Sequence, residues 1–140
     1  MSLLTKADEI DKEATTLRDD ADKLIIAGQE INKAAYAEAA LMSEKICTLI
    51  VEAQKLELDT DNNTAHISHK KANNMRNIAA LIFQKASEIK NTGQQRENNH
   101  RNAAASMKDE ATRLNKLAIN LRHEFYKAGR TSQTYEMIFM

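Results

Sequence analysis

Small and apolar residues recur along the first half of the chain in alternating steps of three and four. They fall at Ala7, Ile10, Ala14, Leu17, Ala21, Leu24, Gly28, Ile31 and Ala35, with polar residues between them. Such steps keep one stripe of an α-helix turned toward a neighbour, so the spacing predicts a helix with a coiled-coil seam. After Ala35 the series takes one extra step of four, to Ala39. It then resumes through Met42, Ile46, Leu49, Ala53 and Leu56. An inserted four locally unwinds a supercoil.

The same pattern returns 65 positions later, at Ala72, Met75, Ala79, Ile82, Ala86, Ile89, Gly93, Arg96, His100, Ala104, Met107, Ala111, Leu114, Ala118 and Leu121. Nine of these 15 seam residues are identical to their counterparts, the glycine among them, and the extra step recurs in place. A duplicated segment worn down to its packing positions accounts for this, as does convergence on one geometry.

Within the first series, positions 7, 14, 21, 28 and 35 are all small, and large residues at 10, 17, 24 and 31 alternate with them. A small residue every seventh position lets two helix backbones approach closely, each large side chain lying over the other helix's small one. That suits antiparallel pairing better than a parallel zipper, which prefers branched residues at both positions.

The seam is interrupted at "LELDTDNNTAHISH". Asp59, Asp61, Asn62 and Asn63 are poor inside a helix and good in turns. The reading is a helix over roughly 5–58, an apex at 59–64 and a second helix over roughly 65–127. Thr5 with Asp8 is the expected opening of the first helix, Thr64 or Asn63 the cap of the second, and Gly129 its end. Residues 1–128 thus form one helical domain, with 129–140 a flexible or docking tail.

Two architectures fit. The preferred one is an all-α, long antiparallel helical hairpin, a coiled coil that dimerises into a four-helix bundle, because a two-helix object buries little surface alone. The alternative is a compact monomeric four-helix bundle with bends near Gly28 and Gly93. Gly28 belongs to the small stripe and is expected to be packed. Gly93, flanked by Asn91, Thr92, Asn98 and Asn99, is the better place for a bend.

Composition agrees with helices throughout: no proline, three glycines, and few aromatic residues. Net charge is zero, so general attraction to nucleic acid or an anionic membrane is not expected. The zero hides an asymmetry. Residues 1–60 carry 7 basic against 13 acidic side chains, and residues 61–140 carry 13 against 7. Halves of opposite sign attract if folded antiparallel.

Cys47 is the only cysteine, so no disulfide within the chain is possible, and beside Ile46 it reads as a small buried hydrophobe. "MSLLTKADEIDKEA" turns acidic too early for a secretory leader, and "IAALIF" is too short to span a membrane. A cytoplasmic location is the default reading, with no integral membrane insertion; export without a cleaved leader stays open.

Candidate chemistry is sparse. His66 and His69, three apart near Asp59 and Asp61, are weak metal candidates, set against the reading of exposed histidines. "DTDNNTAHISHK" begins like a calcium loop but has Thr64 where glycine is needed and Lys70 where a bidentate glutamate is needed. Asn62-Asn63-Thr64 matches a glycosylation acceptor, which matters only in a secreted chain. No nucleophile–base constellation and no phosphate loop is visible, so no catalysis and no cofactor are expected.

Two features read as contact surfaces. Around the middle, Leu41, Ile50, Val51, Leu81 and Phe83 lie outside the narrow seam and widen the apolar stripe. At the end, "TSQTYEMIFM" places Tyr135, Met137, Ile138 and Phe139 after a polar linker, able to dock on the chain's own helices or on a partner.

The stretch "NAAASMKDEATRLNKLAINLRHEF" resembles the C-terminal ends of bacterial chemoreceptor signalling hairpins, which are long dimeric antiparallel coiled coils. The glycine- and alanine-rich tip of those receptors is absent from "LELDTDNNTAHIS", and no function is carried over. The sequence reading is a non-enzymatic structural or protein-interaction protein of scaffold or adaptor type, with itself and an unknown protein as partners. The alternatives are a secretion-related chaperone or exported helical component, and a small ligand- or metal-binding bundle.

Overall fold

A computed structural model describes the backbone of residues 2–139 and the side chains of residues 2–129. The described residues form two helices: α1, Leu3–Glu57, and α2, Ala65–Phe139. Ser2 opens α1. Its hydroxyl oxygen accepts the Thr5 amide at 3.2 Å, and its carbonyl accepts the Lys6 amide at 3.1 Å. The cap therefore sits three residues before the expected Thr5, because a serine ahead of the first apolar pair satisfies amides that would otherwise lack a partner.

The turn between the helices is organised by Asp59. Its carboxylate accepts the Asp61 amide at 2.9 Å and the hydroxyls of Thr64 and Ser68 at 2.7 Å each. Asp61 in turn accepts the Asn63 amide on its side chain and the Thr64 and Ala65 amides on its carbonyl. Thr64 holds the capping position expected of it, and its carbonyl accepts the Ser68 amide at 2.9 Å. Its hydroxyl, however, donates to Asp59, so the aspartate ties the turn to the first turn of α2.

Neither interior glycine interrupts its helix. Gly28 lies inside α1 and Gly93 inside α2, and no glycine has a positive φ. The turns that the alternative architecture needs at these glycines are not formed, and the asparagines around Gly93 do not break the helix. A methyl group at Gly93 would stand 2.5 Å from the Cβ of Ala35 and 3.3 Å from the Asn32 Oδ1. Glycine is there for close approach of two helices. Gly129 does not end α2 either, since the helix runs on to Phe139. Without the left-handed backbone of a C-cap, glycine is a weak stop.

Tertiary contacts divide the chain into two units, one of Met1–Ala27 with Asn99–Met140 and the other of Gly28–Asn98. In the first, the helical segments run antiparallel. Arg122 pairs with Asp8 at 2.8 Å and Asp11 at 2.6 Å, Asn115 donates to Asp11 at 2.9 Å, and Lys108 pairs with Asp22 at 3.2 Å. Ala14, Ala111 and Leu114 form its centre, with Ile10 and Leu17 packed against them.

The second unit is a helical hairpin closed by the turn at 58–64. Arg76 grips the Glu57 carboxylate with two hydrogen bonds, at 2.5 Å and 3.1 Å. Farther along, Asn32 donates to Glu97 at 2.6 Å, and Lys90 lies over the Tyr36 ring, 5.5 Å from its centroid. The ion pairs named here between helices all join an acid on α1 to a base on α2, as the charge asymmetry of the two halves predicts.

Of the thirty seam positions, twenty-nine are buried or half-buried, and only Arg96 is exposed. Glu97 takes the inward position beside it and receives the Asn32 amide. The fully buried positions of the seam are alanine, and the larger Ile, Leu and Met residues between them are mostly half-buried. Ala7, Ala14, Ala21, Ala39, Ala53, Ala72, Ala104, Ala111 and Ala118 are completely buried, whereas no large side chain is fully buried among the described residues.

Candidate functional site

Two flanks border the seam of the hairpin at 28–98, and they differ in chemistry. On one, α1 contributes Tyr36, Ala40, Ser43, Cys47, Ile50 and Gln54, spaced four, three, four, three and four. These residues share one side of a helix. α2 answers with Arg76, Ala80, Phe83, Ser87 and Lys90 at the same spacing. Contacts place the two rows together: Ile46, Ile50, Arg76, Ala79, Ala80 and Phe83 line one open groove of about 270 Å³, and Lys90 covers Tyr36.

This flank is free of acidic side chains from Tyr36 to Gln54 on α1 and from Arg76 to Lys90 on α2. Its two cations are engaged, Arg76 with Glu57 and Lys90 with the Tyr36 ring. The Ser43 hydroxyl is turned back onto its own helix, donating to the Ala39 carbonyl at 3.2 Å. Phe83 stands up from the flank with 65% of its surface exposed, and the small residues Ala40, Ser43 and Ala80 leave hollows around it.

The opposite flank is charged. A groove of about 630 Å³ is lined by Leu41, Glu44, Lys45, Thr48, Leu49, Glu52 and Ile82. Next to Gly93, a second one of about 500 Å³ includes Glu38, Lys85, Glu88 and Arg96 among its walls.

The apolar set expected from the sequence is therefore divided. Ile50 and Phe83 meet in the acid-free groove, Leu41 lies in the one that carries both signs of charge, and Val51 and Leu81 are exposed but line neither. Tyr135, Met137, Ile138 and Phe139 lie outside the residues whose side chains are described. Cys47 is exposed rather than buried, because the seam passes one position away, through Ile46. What the sequence reading missed was Tyr36, half exposed, and the run of small residues beside Phe83. The signal was present as a second three–four stripe without acids, one position to the side of the seam.

His69 serves the fold. The ring Nε2 of His69 lies 3.2 Å from the carbonyl of Glu57, the last residue of α1. A side chain of the second helix thus reaches a terminal carbonyl of the first. His66 is exposed. Among the described residues no three His, Cys, Asp or Glu side chains are grouped so as to hold a metal ion, which removes the observation that would support His66 and His69 as ligands. Likewise, no helix is long and apolar enough to cross a membrane among the described residues.

Hydrogen bonding lowers the pKa of four carboxylates below the usual range: Glu57 through Arg76, Glu110 through Arg113, and the two with the most partners, Asp11 and Asp59. Asp11 is held down by the Asn115 amide and then by the Arg122 guanidinium. Asp59 is held down by the Ser68 hydroxyl, the Asp61 amide and the Thr64 hydroxyl, in that order. Both carboxylates are bound up in holding the helices in register and closing the turn, which are structural tasks.

Comparison of the chain with protein-family models, with curated proteins and with solved structures returned no match.

Proposed function

We propose that this chain is a non-enzymatic structural or protein-interaction protein of the scaffold or adaptor type, acting through self-association and the binding of a protein partner. The observation that carries the reading is the composition of the core. Two helices that meet on alanine come close together, but alanine has little apolar surface to bury. The larger seam residues are mostly half-buried, and further apolar side chains are left in view: Tyr36, Leu41, Val51, Ile78, Leu81 and Phe83 in the hairpin unit are all 48% exposed or more. Full burial of such a side chain is worth about 1.5–3 kcal/mol, so an added layer of helices would gain several times that amount. Two-helix scaffolds of small core commonly find their missing burial in association.

Thermal unfolding at two protein concentrations about a hundredfold apart tests this reading, because only an associated state makes the midpoint depend on concentration. The midpoint is expected to rise with concentration. A midpoint that does not move, together with the mass of a single chain, contradicts self-association.

A further inference from the structure

The acid-free flank of the hairpin at 28–98 has an occupant that its chemistry suits. We propose that a second copy of the chain docks there through the same flank, apex beside apex, with α1 of each copy against α2 of the other and Phe83 seated between Ser43 and Cys47 of the other copy. The proposal rests on the self-association reading and adds to it the surface and the orientation.

Three observations lead to it. The first is neutrality: the flank offers no unengaged charge of either sign, and the Ser43 hydroxyl is already bonded within its own helix. Its occupant must bring no unengaged charge over the same length, since an unpaired charge placed against it would lose water without gaining a partner. An identical flank meets that requirement: it has no acid, and its two cations are already engaged with Glu57 and the Tyr36 ring.

The second observation is relief. Phe83 protrudes, while Ala40, Ser43, Cys47 and Ala80 are small and exposed. Gly93 faces Ala35 across the hairpin, so ten residues nearer the turn Phe83 stands at a height between Ser43 and Cys47 on α1, in a groove with Ile46 and Ile50. A two-fold axis parallel to the helices brings Phe83 of each copy over those small residues of the other. Self-complementary contact of this kind is what a two-fold interface demands.

The third observation is charge at the level of whole helices. In this unit α1, residues 28–57, carries five acidic and three basic side chains, and α2, residues 65–98, carries six basic and two acidic. With apexes together, each α1 lies between two α2 helices. With apexes apart, α1 would face α1 and α2 would face α2, setting like charges against each other.

The flank also has a suitable size. From Tyr36 to Gln54 it runs about 27 Å, and two helices side by side span about 20 Å. Its footprint is about 540 Å² on each copy, about 1,100 Å² together, at the lower edge of specific interfaces. The expected dimer is therefore a reversible one, of roughly micromolar affinity.

Sedimentation of the full chain over a range of concentrations tests the proposal, using the native chain, Phe83→Glu and Leu41→Glu. Both substituted residues are more than 60% exposed, so helicity by circular dichroism should be kept in each variant. Phe83→Glu is expected to weaken the dimer by more than about tenfold and Leu41→Glu by less than about threefold. If the native chain dimerises but Leu41→Glu is as damaging as Phe83→Glu or more so, self-association stands and the choice of surface is overturned. A native chain that stays monomeric overturns both.

Orientation is read separately, and without dependence on the Phe83 variant. Oxidation of the native chain should give no Cys47–Cys47 disulfide, because in this arrangement the two cysteines lie diagonally across four helices, out of disulfide reach. In a mixture of the native chain with a Cys47→Ser, Ala80→Cys chain, a maleimide crosslinker spanning about 10 Å, a typical spacing of neighbouring helices, should link Cys47 of the one to position 80 of the other. Ready formation of the Cys47 disulfide with no crosslink to position 80 overturns the orientation.

Discussion

Gly93 and Ala35 face each other across the hairpin so closely that a β-carbon on Gly93 would come to 2.5 Å from that of Ala35. Carbon atoms in contact need more than an ångström beyond that, so the helices would have to move apart. Alanine is the better helix former by about 1 kcal/mol, which by itself would make Gly93→Ala stabilising. Overpacking of a filled contact costs about 1–3 kcal/mol and should win. Gly93→Ala is expected to lower stability in urea unfolding. Gly129, with nothing within 4 Å, is the control: Gly129→Ala should stabilise by about 0.4–1 kcal/mol. A stabilising Gly93→Ala would mean that the helices separate there at little cost.

Ala14 extends the same argument to the other unit. It is fully buried against Ala111 and Leu114. Ala14→Leu adds three carbon atoms where no space exists and should cost about 1–3 kcal/mol. Ala37→Leu, on an exposed face of α1, should change stability by no more than about 0.5 kcal/mol. Equal effects at the two positions in chemical denaturation would contradict an alanine-filled seam.

Acid should loosen the chain through Asp11 and Asp59, whose folded pKa values lie below the ordinary one. A carboxylate depressed on folding stabilises the native state above its unfolded pKa, and that contribution fades as pH falls through the folded value. Stability is therefore expected to be flat between about pH 7 and pH 5 and to decline below about pH 4. Asp11→Asn should flatten part of the decline, measured as unfolding midpoint against pH. The change is expected to be modest, because the Asp11 side chain is 34% exposed and solvent screens it.

Asp59 makes a local prediction as well. It receives three donors from the turn and the first turn of α2. Asp59→Ala should speed amide hydrogen exchange at residues 61–68 and leave exchange near Ala111 unchanged. A uniform increase along both helices would show that the turn governs global stability rather than local order.

Much of this architecture was legible in the residues. The three–four series located the buried stripe of both helices because a helix has only one face to turn to its neighbour, and the cluster at 59–63 located the turn. The asparagines around Gly93 misled, since local helix weakness is overridden when a long seam continues on either side and the backbones touch. Gly129 misled for the opposite reason, a stop signal lacking the backbone conformation that makes it one. The candidate surface was half legible. Apolar residues such as Leu41 and Phe83 were visible one by one, but which flank each occupies depends on the position of the seam in three dimensions. The absence of acids on one flank is apparent only once the two rows are placed together.

The central claim is that two helices joined by an alanine seam leave their larger apolar surface for a second copy. Sedimentation equilibrium of the unaltered chain, from about 1 to about 100 μM, addresses it most directly. The account predicts a weight-average mass that climbs with concentration from 15.8 kDa toward about twice that value. A mass that remains at 15.8 kDa throughout, with full helicity retained, would contradict it.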